Sequence, residues 1–89
     1  MIKQAVEVIL SAGGQIACLY HCTSTYPCSI DEINLRGIHT LQEEFPNIPI
    51  GYSGHEVTPY TTLMAAVMGA RSVERHLTLS RALWGTDQA

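Results

Sequence analysis

The sequence predicts an α/β fold with a parallel sheet, in which three short strands are separated by helices. Three observations carry that expectation. Apolar runs of strand length alternate with runs of helical periodicity. Glycine or proline punctuates the junctions between them. The units recur every ~25–30 residues, the repeat of strand–helix units that need right-handed crossovers.

Taken in order, Ile2, Val6, Ile9 and Leu10 fall at helical spacing with Lys3, Gln4 and Glu7 between them, and Gly13-Gly14 stops that helix. Ile16-Ala17-Cys18-Leu19-Tyr20 is a continuous apolar run, expected to be a strand buried on both faces. After a loop over residues 23–28, Ser29-Ile30-Asp31-Glu32 has the form of a capping box. One helix is expected from there to Phe45, with Ile30, Ile33, Ile38, Leu41 and Phe45 inward. Its polar face carries Asn34, Arg36, Gln42, Glu43 and Glu44, and Pro46 ends it. Ile48-Pro49-Ile50-Gly51-Tyr52 predicts the second strand. Thr58 then offers a cap and Pro59 a first helical position. The helix over residues 60–68 is apolar almost all round and is expected to be well buried. Gly69 closes it, and the third strand centres on Ser72-Val73-Glu74.

Length and composition bound what this unit can be. Its 89 residues, 46% hydrophobic and 15% charged, suit one soluble globular unit at most. A net charge of −3 with five scattered basic residues gives no footprint for nucleic acid or a membrane surface. The longest apolar stretch, residues 61–70, is shorter than the ~20 apolar residues a bilayer-spanning helix needs. Glu7 interrupts the first apolar run, which has no signal-peptide form, so a cytoplasmic location is expected. Cys18, Cys22 and Cys28 show no C-x-x-C spacing and read as inert structural thiols of a reducing compartment, Cys18 and Cys22 within the apolar run. A complete (β/α)₈ barrel needs at least ~200 residues, and three unflanked strands leave two apolar edges. The chain is therefore expected to be an incomplete piece of a larger domain. Pattern alone leaves both an open doubly wound sheet and part of a barrel in play.

In either fold, functional residues collect at the carboxyl ends of strands. Polar residues concentrate there: His21-Cys22-Thr23-Ser24-Thr25-Tyr26, then Ser53-Gly54-His55-Glu56, then Glu74-Arg75-His76, with Asp87 beyond. Residues two apart share a strand face, so Ser53 aligns with His55, Glu74 with His76, and Cys22 with Ser24. If the second and third strands are adjacent, they lie about 4.8 Å apart, close enough for two imidazoles to meet at one ion. Two neutral imidazoles with open positions suit Mn²⁺, Zn²⁺, Fe²⁺ or Co²⁺ as a Lewis acid. Blander readings stand beside each of these. A histidine at a strand end is more often a hydrogen-bonded structural residue. His21 is out of phase with Ser24, His39 lies on a polar helix face, Ser53-Gly54 reads equally as a turn, and Glu74-Arg75 as a salt-bridged pair. Neither a glycine-rich phosphate fingerprint nor a G-x-S-x-G elbow occurs, which weighs against dinucleotide binding and acyl transfer.

Five strings occur here in one order: His21-Cys22-Thr23-Ser24-Thr25-Tyr26-Pro27, Ile48-Pro49-Ile50-Gly51-Tyr52-Ser53-Gly54-His55-Glu56, Gly69-Ala70-Arg71, Glu74-Arg75-His76-Leu77-Thr78-Leu79 and Trp84-Gly85-Thr86-Asp87-Gln88-Ala89. Together they closely resemble the N-acetylneuraminate (sialic acid) synthase family over essentially the whole chain. The resemblance implies a partial (β/α)₈ TIM barrel. Residues 1–89 would be a fragment of the single catalytic domain, holding its last three parallel strands and their helices. The rest of the barrel and the small antifreeze-like domain, which caps the partner's active site in the family's homodimer, would be missing. The family joins phosphoenolpyruvate to N-acetylmannosamine or its 6-phosphate, giving N-acetylneuraminate or its 9-phosphate and inorganic phosphate. Relatives use other acetamido sugars. By position, His55 and His76 match the family's metal-binding histidines, with manganese as the ion and magnesium or cobalt as alternatives. Ser53 matches a phosphoenolpyruvate-contacting serine, and Ser24 a position held by serine or asparagine. Tyr26 and Asp87 match positions near the acetamido sugar, and Glu74 a catalytic-pocket acid. The family's phosphoenolpyruvate-binding lysines lie on earlier strands, so the isolated chain is expected to be inactive. Two other readings remain: a different metal-dependent barrel enzyme such as an aldolase, or a non-catalytic truncated product.

Overall fold

The computed structural model describes residues 1–85. Its elements are α1 (Ile2–Ser11), β1 (Leu19–Cys22), α2 (Ile30–Ile33), α3 (Arg36–Glu44), β2 (Ile50–Gly54), α4 (Tyr60–Val67) and β3 (Val73–Arg75). The strands form one parallel sheet in the order β1-β2-β3, as the alternation of patterns predicts.

Proline chemistry moves β1 from its expected place. Leu19 pairs with Ile50, and the Leu19 N–H donates to the Pro49 carbonyl at 2.9 Å. Pro49 has no N–H to extend the ladder backward. The run therefore pairs from Leu19 to Cys22, and residues 16–18 lead into it. Nor is β1 buried on both faces. Leu19 and His21 are half-buried whereas Tyr20 and Cys22 are exposed. Alternation of this kind means that helices cover one face of the strand and leave the other open.

The single helix expected over residues 30–45 is two. Asn34 sits at φ 44°, and the Gly37 N–H turns back to its carbonyl at 2.9 Å. Asparagine is one of the few residues that enter this left-handed region readily, and a helix cannot pass through it. The start of α2 is as expected: Glu32 Oε2 accepts from the Ser29 N–H at 3.0 Å and from its hydroxyl at 2.8 Å.

The core lies between the sheet and the helices α3 and α4. Cys28, Ile33, Ile38, Ile50, Tyr52 and Ala65 are its buried members, flanked by Leu19, Leu35, Leu41, Met68 and Ala70. Removing Ile38 or Ile50 from water is worth on the order of 2 kcal/mol each. Gln42 on α3 donates to the Met68 carbonyl at 3.1 Å and ties the two helices together. The expectation that α4 is well buried does not hold. Only Thr61 and Ala65 are buried, while Leu63, Met64 and Val67 are exposed. One side of the helix meets β2, while Leu63, Met64 and Val67 remain open on its other sides.

On the open face of the sheet the Tyr20 ring crosses over Gly51 and hydrogen-bonds Ser72. A Cβ at Gly51 would come within 2.7 Å of that ring, so the crossing requires glycine. This layer forms the floor beneath the strand ends.

Candidate metal centre

Register sets the frame of the site. Cys22, Ser53 and Glu74 lie level across the three strands, and Gly54 lies level with Arg75. His55 and His76 follow directly, level with one another and on the face of Ser53 and Glu74. Their ring centroids are 5.0 Å apart at an interplanar angle of 66°. With β2 and β3 adjacent, the two rings meet on one face, the arrangement that strand spacing allows.

The loop after β1 clasps His55 at two points. Its ring Nδ1 donates to the Thr23 carbonyl at 2.8 Å, and its own carbonyl accepts from the Cys28 N–H at 3.1 Å. A carbonyl only accepts, so Nδ1 is the donor, and in the neutral tautomer that this bond selects the lone pair sits on Nε2. Metal-bound histidines are oriented in this way, by a hydrogen bond from the nitrogen that does not face the ion. Tyr26, on the same loop, packs its ring 4.3 Å from His55 and nearly parallel to His76 at 6.1 Å. Ser53 donates to Glu74 Oε1 at 2.9 Å, so these two form one polar unit beneath the histidines.

Other expected residues fall elsewhere. Ser24 is exposed on the loop and makes no side-chain hydrogen bond to the cluster among the described residues. Asp87 lies outside the described residues. Cys22 is exposed rather than buried, because its position on the open face places Sγ 3.8 Å from His55 Nδ1. His21 points the other way, donates Nε2–H to the Ile33 carbonyl at 2.7 Å and stacks on Tyr52, a structural role. His39 is exposed on α3, as expected. Among the described residues no group of three or more His, Cys, Asp or Glu side chains stands at metal-ligand spacing. Among the described residues, the imidazoles that face one another at these strand ends are those of His55 and His76.

One constellation escaped sequence reasoning. Arg75 pairs with Glu56 and not with Glu74. The Glu56 carboxylate also accepts from Tyr52 at 2.8 Å and from Thr61, while Arg75 Nη2 donates to the Glu56 carbonyl at 2.6 Å. Strand parity held the signal: Arg75 is out of phase with Glu74 and His76, and so faces the helices. Glycine at position 54 makes room, since a Cβ there would stand 2.6 Å from Arg75 Nη1.

Glu56 is 3% exposed, and burial alone would push its carboxyl up. Hydrogen bonds from Thr61, its own backbone and Tyr52, with the charge of Arg75, outweigh burial and hold it below the ordinary carboxylate range. Burial first, and the bond to Glu56 next, push the Tyr52 hydroxyl up to about 12, so it stays a donor. A carboxyl lowered on folding stabilises fully above its unfolded-state value, and the contribution is lost as pH falls through the folded value. Urea unfolding should therefore show stability falling as pH drops through and below the ordinary carboxylate range, with a shallower fall in Glu56→Gln. Equal slopes in both proteins would mean that Glu56 is not the group responsible.

Comparisons with known proteins bear on the chain as a whole. The NeuB family model matches residues 1–89. N-acetylneuraminate-9-phosphate synthase of Homo sapiens is 44% identical over 88 residues, covering 99% of this chain and 24% of that protein. N,N'-diacetyllegionaminic acid synthase of Legionella pneumophila is 42% identical over 69 residues, covering 78% of this chain and 19% of that protein. The crystal structure of N-acetylneuraminic acid (sialic acid) synthetase from Leptospira borgpetersenii in complex with citrate superimposes with a TM-score of 0.86. It is 36% identical, covering 98% of this chain and 30% of that one. The chain spans about a quarter of the length of the human relative. The structural likeness settles the fold class in favour of part of a (β/α)₈ barrel over an open doubly wound sheet.

Proposed function

The chain belongs to the NeuB family, and on that premise we propose that it carries part of the active site of a nonulosonic acid synthase. The reaction is condensation of phosphoenolpyruvate with N-acetylmannosamine or its 6-phosphate. A carbon–carbon bond forms between C3 of phosphoenolpyruvate and the sugar aldehyde, water adds at C2, and inorganic phosphate leaves. The name of the human relative supports this sugar, and that of the Legionella relative supports a diacetamido sugar as the neighbouring choice. A homodimer in the cytoplasm belongs to the same proposal. Among the described residues no helix is long and apolar enough to cross a membrane.

The observation that carries the reading is the facing pair His55 and His76, with Nδ1 of His55 fixed on the Thr23 carbonyl. The pair would hold a divalent ion, manganese first with magnesium or cobalt as alternatives, which supplies Lewis-acid polarisation of the aldehyde. The other side chains bind and orient. Ser53 would turn its hydrogen from Glu74 to a phosphate or carboxylate oxygen of phosphoenolpyruvate. Glu74, released, would then accept from sugar hydroxyls. The Tyr26 ring would wall one side of the pair. Ser24 and Asp87 are assigned to substrate by family position.

Phosphate release by the intact protein tests the reading. Phosphoenolpyruvate would be paired in turn with N-acetylmannosamine, its 6-phosphate and diacetamido hexoses, with Mn²⁺ present or chelated. Release that needs both substrates and the ion is expected. No release with any acetamido sugar would overturn the proposal and favour an unrelated metal-dependent aldolase.

A further inference from the structure

The buried ion pair and the two histidines interlock along the chain. Glu56 directly follows His55, and Arg75 directly precedes His76. The two imidazoles stand on the open face of the sheet, and the ion pair closes on the opposite face. Arg75 makes its grip in two places, at the Glu56 carboxylate and, through Nη2, at the Glu56 main-chain carbonyl at 2.6 Å. The second contact bears on backbone and not merely on a flexible side chain. Glu56 is itself held by Tyr52 on β2 and Thr61 on α4. Gly54 leaves space for the closure.

Beyond Gly54 and Arg75 the strand ladder has ended, so no further rung of the sheet fixes the approach of residue 55 to residue 76. From these contacts we propose that Glu56 and Arg75 are positioning residues, which draw the ends of β2 and β3 together and set the spacing of the His55 and His76 rings. Net stabilisation is not a sufficient reason for such a pair, since a buried ion pair often returns little over an apolar replacement. Fixing one geometry is a use for which buried polar groups are suited. A side chain needs to be held within about 0.5 Å of its working position for a two-histidine site to retain its ligand.

The inference rests on the reading of His55 and His76 as ligands, and two readouts on the intact protein keep the two separable. The first is the affinity for Mn²⁺ alone, by calorimetry. The second, on metal-free protein with labelled histidine, is the nuclear Overhauser contact between the His55 and His76 rings. Arg75→Lys keeps the charge but cannot span carboxylate and carbonyl together. It is expected to weaken Mn²⁺ binding at least tenfold and to lose the ring-to-ring contact, with an unchanged near-ultraviolet circular dichroism spectrum. Glu56→Gln, which keeps acceptors for Tyr52 and Thr61, provides a second route should Arg75→Lys not fold, and is expected to shift both readouts the same way. Affinity within twofold of the unsubstituted protein, together with a persisting ring contact, would overturn the positioning role. Absence of Mn²⁺ binding by the unsubstituted protein would overturn the ligand reading instead, while the ring contact still decides the role of Arg75.

Discussion

Alanine at His55 is expected to lower phosphate release more than a hundredfold with Mn²⁺ at limiting concentration, and alanine at His76 to do the same. Loss of a partner behind a metal ligand typically costs about 10–100-fold, so loss of the ligand itself should exceed that. His55 has a second duty, because its ring also ties down the loop after β1 through the Thr23 carbonyl. His55→Asn separates the two. Its amide can still donate to Thr23, but it has no counterpart of Nε2. If the ligand role dominates, His55→Asn and His55→Ala should be equally impaired in activity, with the unfolding midpoint kept in His55→Asn. The readings are initial rates of phosphate release and a Mn²⁺ titration. Retention of more than about a tenth of the activity by both His55→Asn and His76→Ala would remove the pair from the chemistry, since it corresponds to under ~1.4 kcal/mol of barrier.

A larger structural effect is expected at Glu56. Alanine there strands a guanidinium, a tyrosine hydroxyl and a threonine hydroxyl in the packed layer between sheet and helices. Removing one partner of a buried ion pair costs about 3–5 kcal/mol. Arg75 keeps some exposure, which favours the lower end of that range. Against a typical total of ~5–15 kcal/mol, a loss of about 3 kcal/mol would remove roughly a fifth to three-fifths of the stability. Glu56→Gln retains an acceptor for Tyr52 and Thr61 and should cost about 1–3 kcal/mol. Urea unfolding of the intact protein at neutral pH measures both. Two losses of the same size, each under about 1 kcal/mol, would show that the network does not brace the fold.

Much of the architecture was legible because parallel strand–helix alternation is written in local periodicity. The ends of the elements were less so. Residues 16–18 look like strand, yet what pairs depends on the partner, and Pro49 on that partner cannot support them. The division between α2 and α3 rests on one backbone angle at Asn34, a residue that also sits comfortably on a polar helix face. In α4, uniform apolarity indicates burial only when every side has a neighbour, and here Leu63, Met64 and Val67 stay exposed. For the site, parity aligned His55 with Ser53 and His76 with Glu74, the adjacency of β2 and β3 brought the two histidines to one face, and resemblance to a family attached a metal to them. Parity read equally well the other way would have separated Arg75 from Glu74. What it could not supply was the partner, since Glu56 comes from a loop whose course is set by the packing of Tyr52 and Thr61.

The level register of β2 and β3 has a consequence for how this chain can change over generations. Added residues in the turn over positions 57–59, or between α4 and β3, alter the length of the crossover and leave both histidines where they are. A single deletion within Ile50–Gly54 instead turns Ser53 toward the helices and Tyr52 toward the open face, because side chains alternate with a period of two. Length variation among descendants of this sequence should therefore gather in the crossover and be purged from the strand.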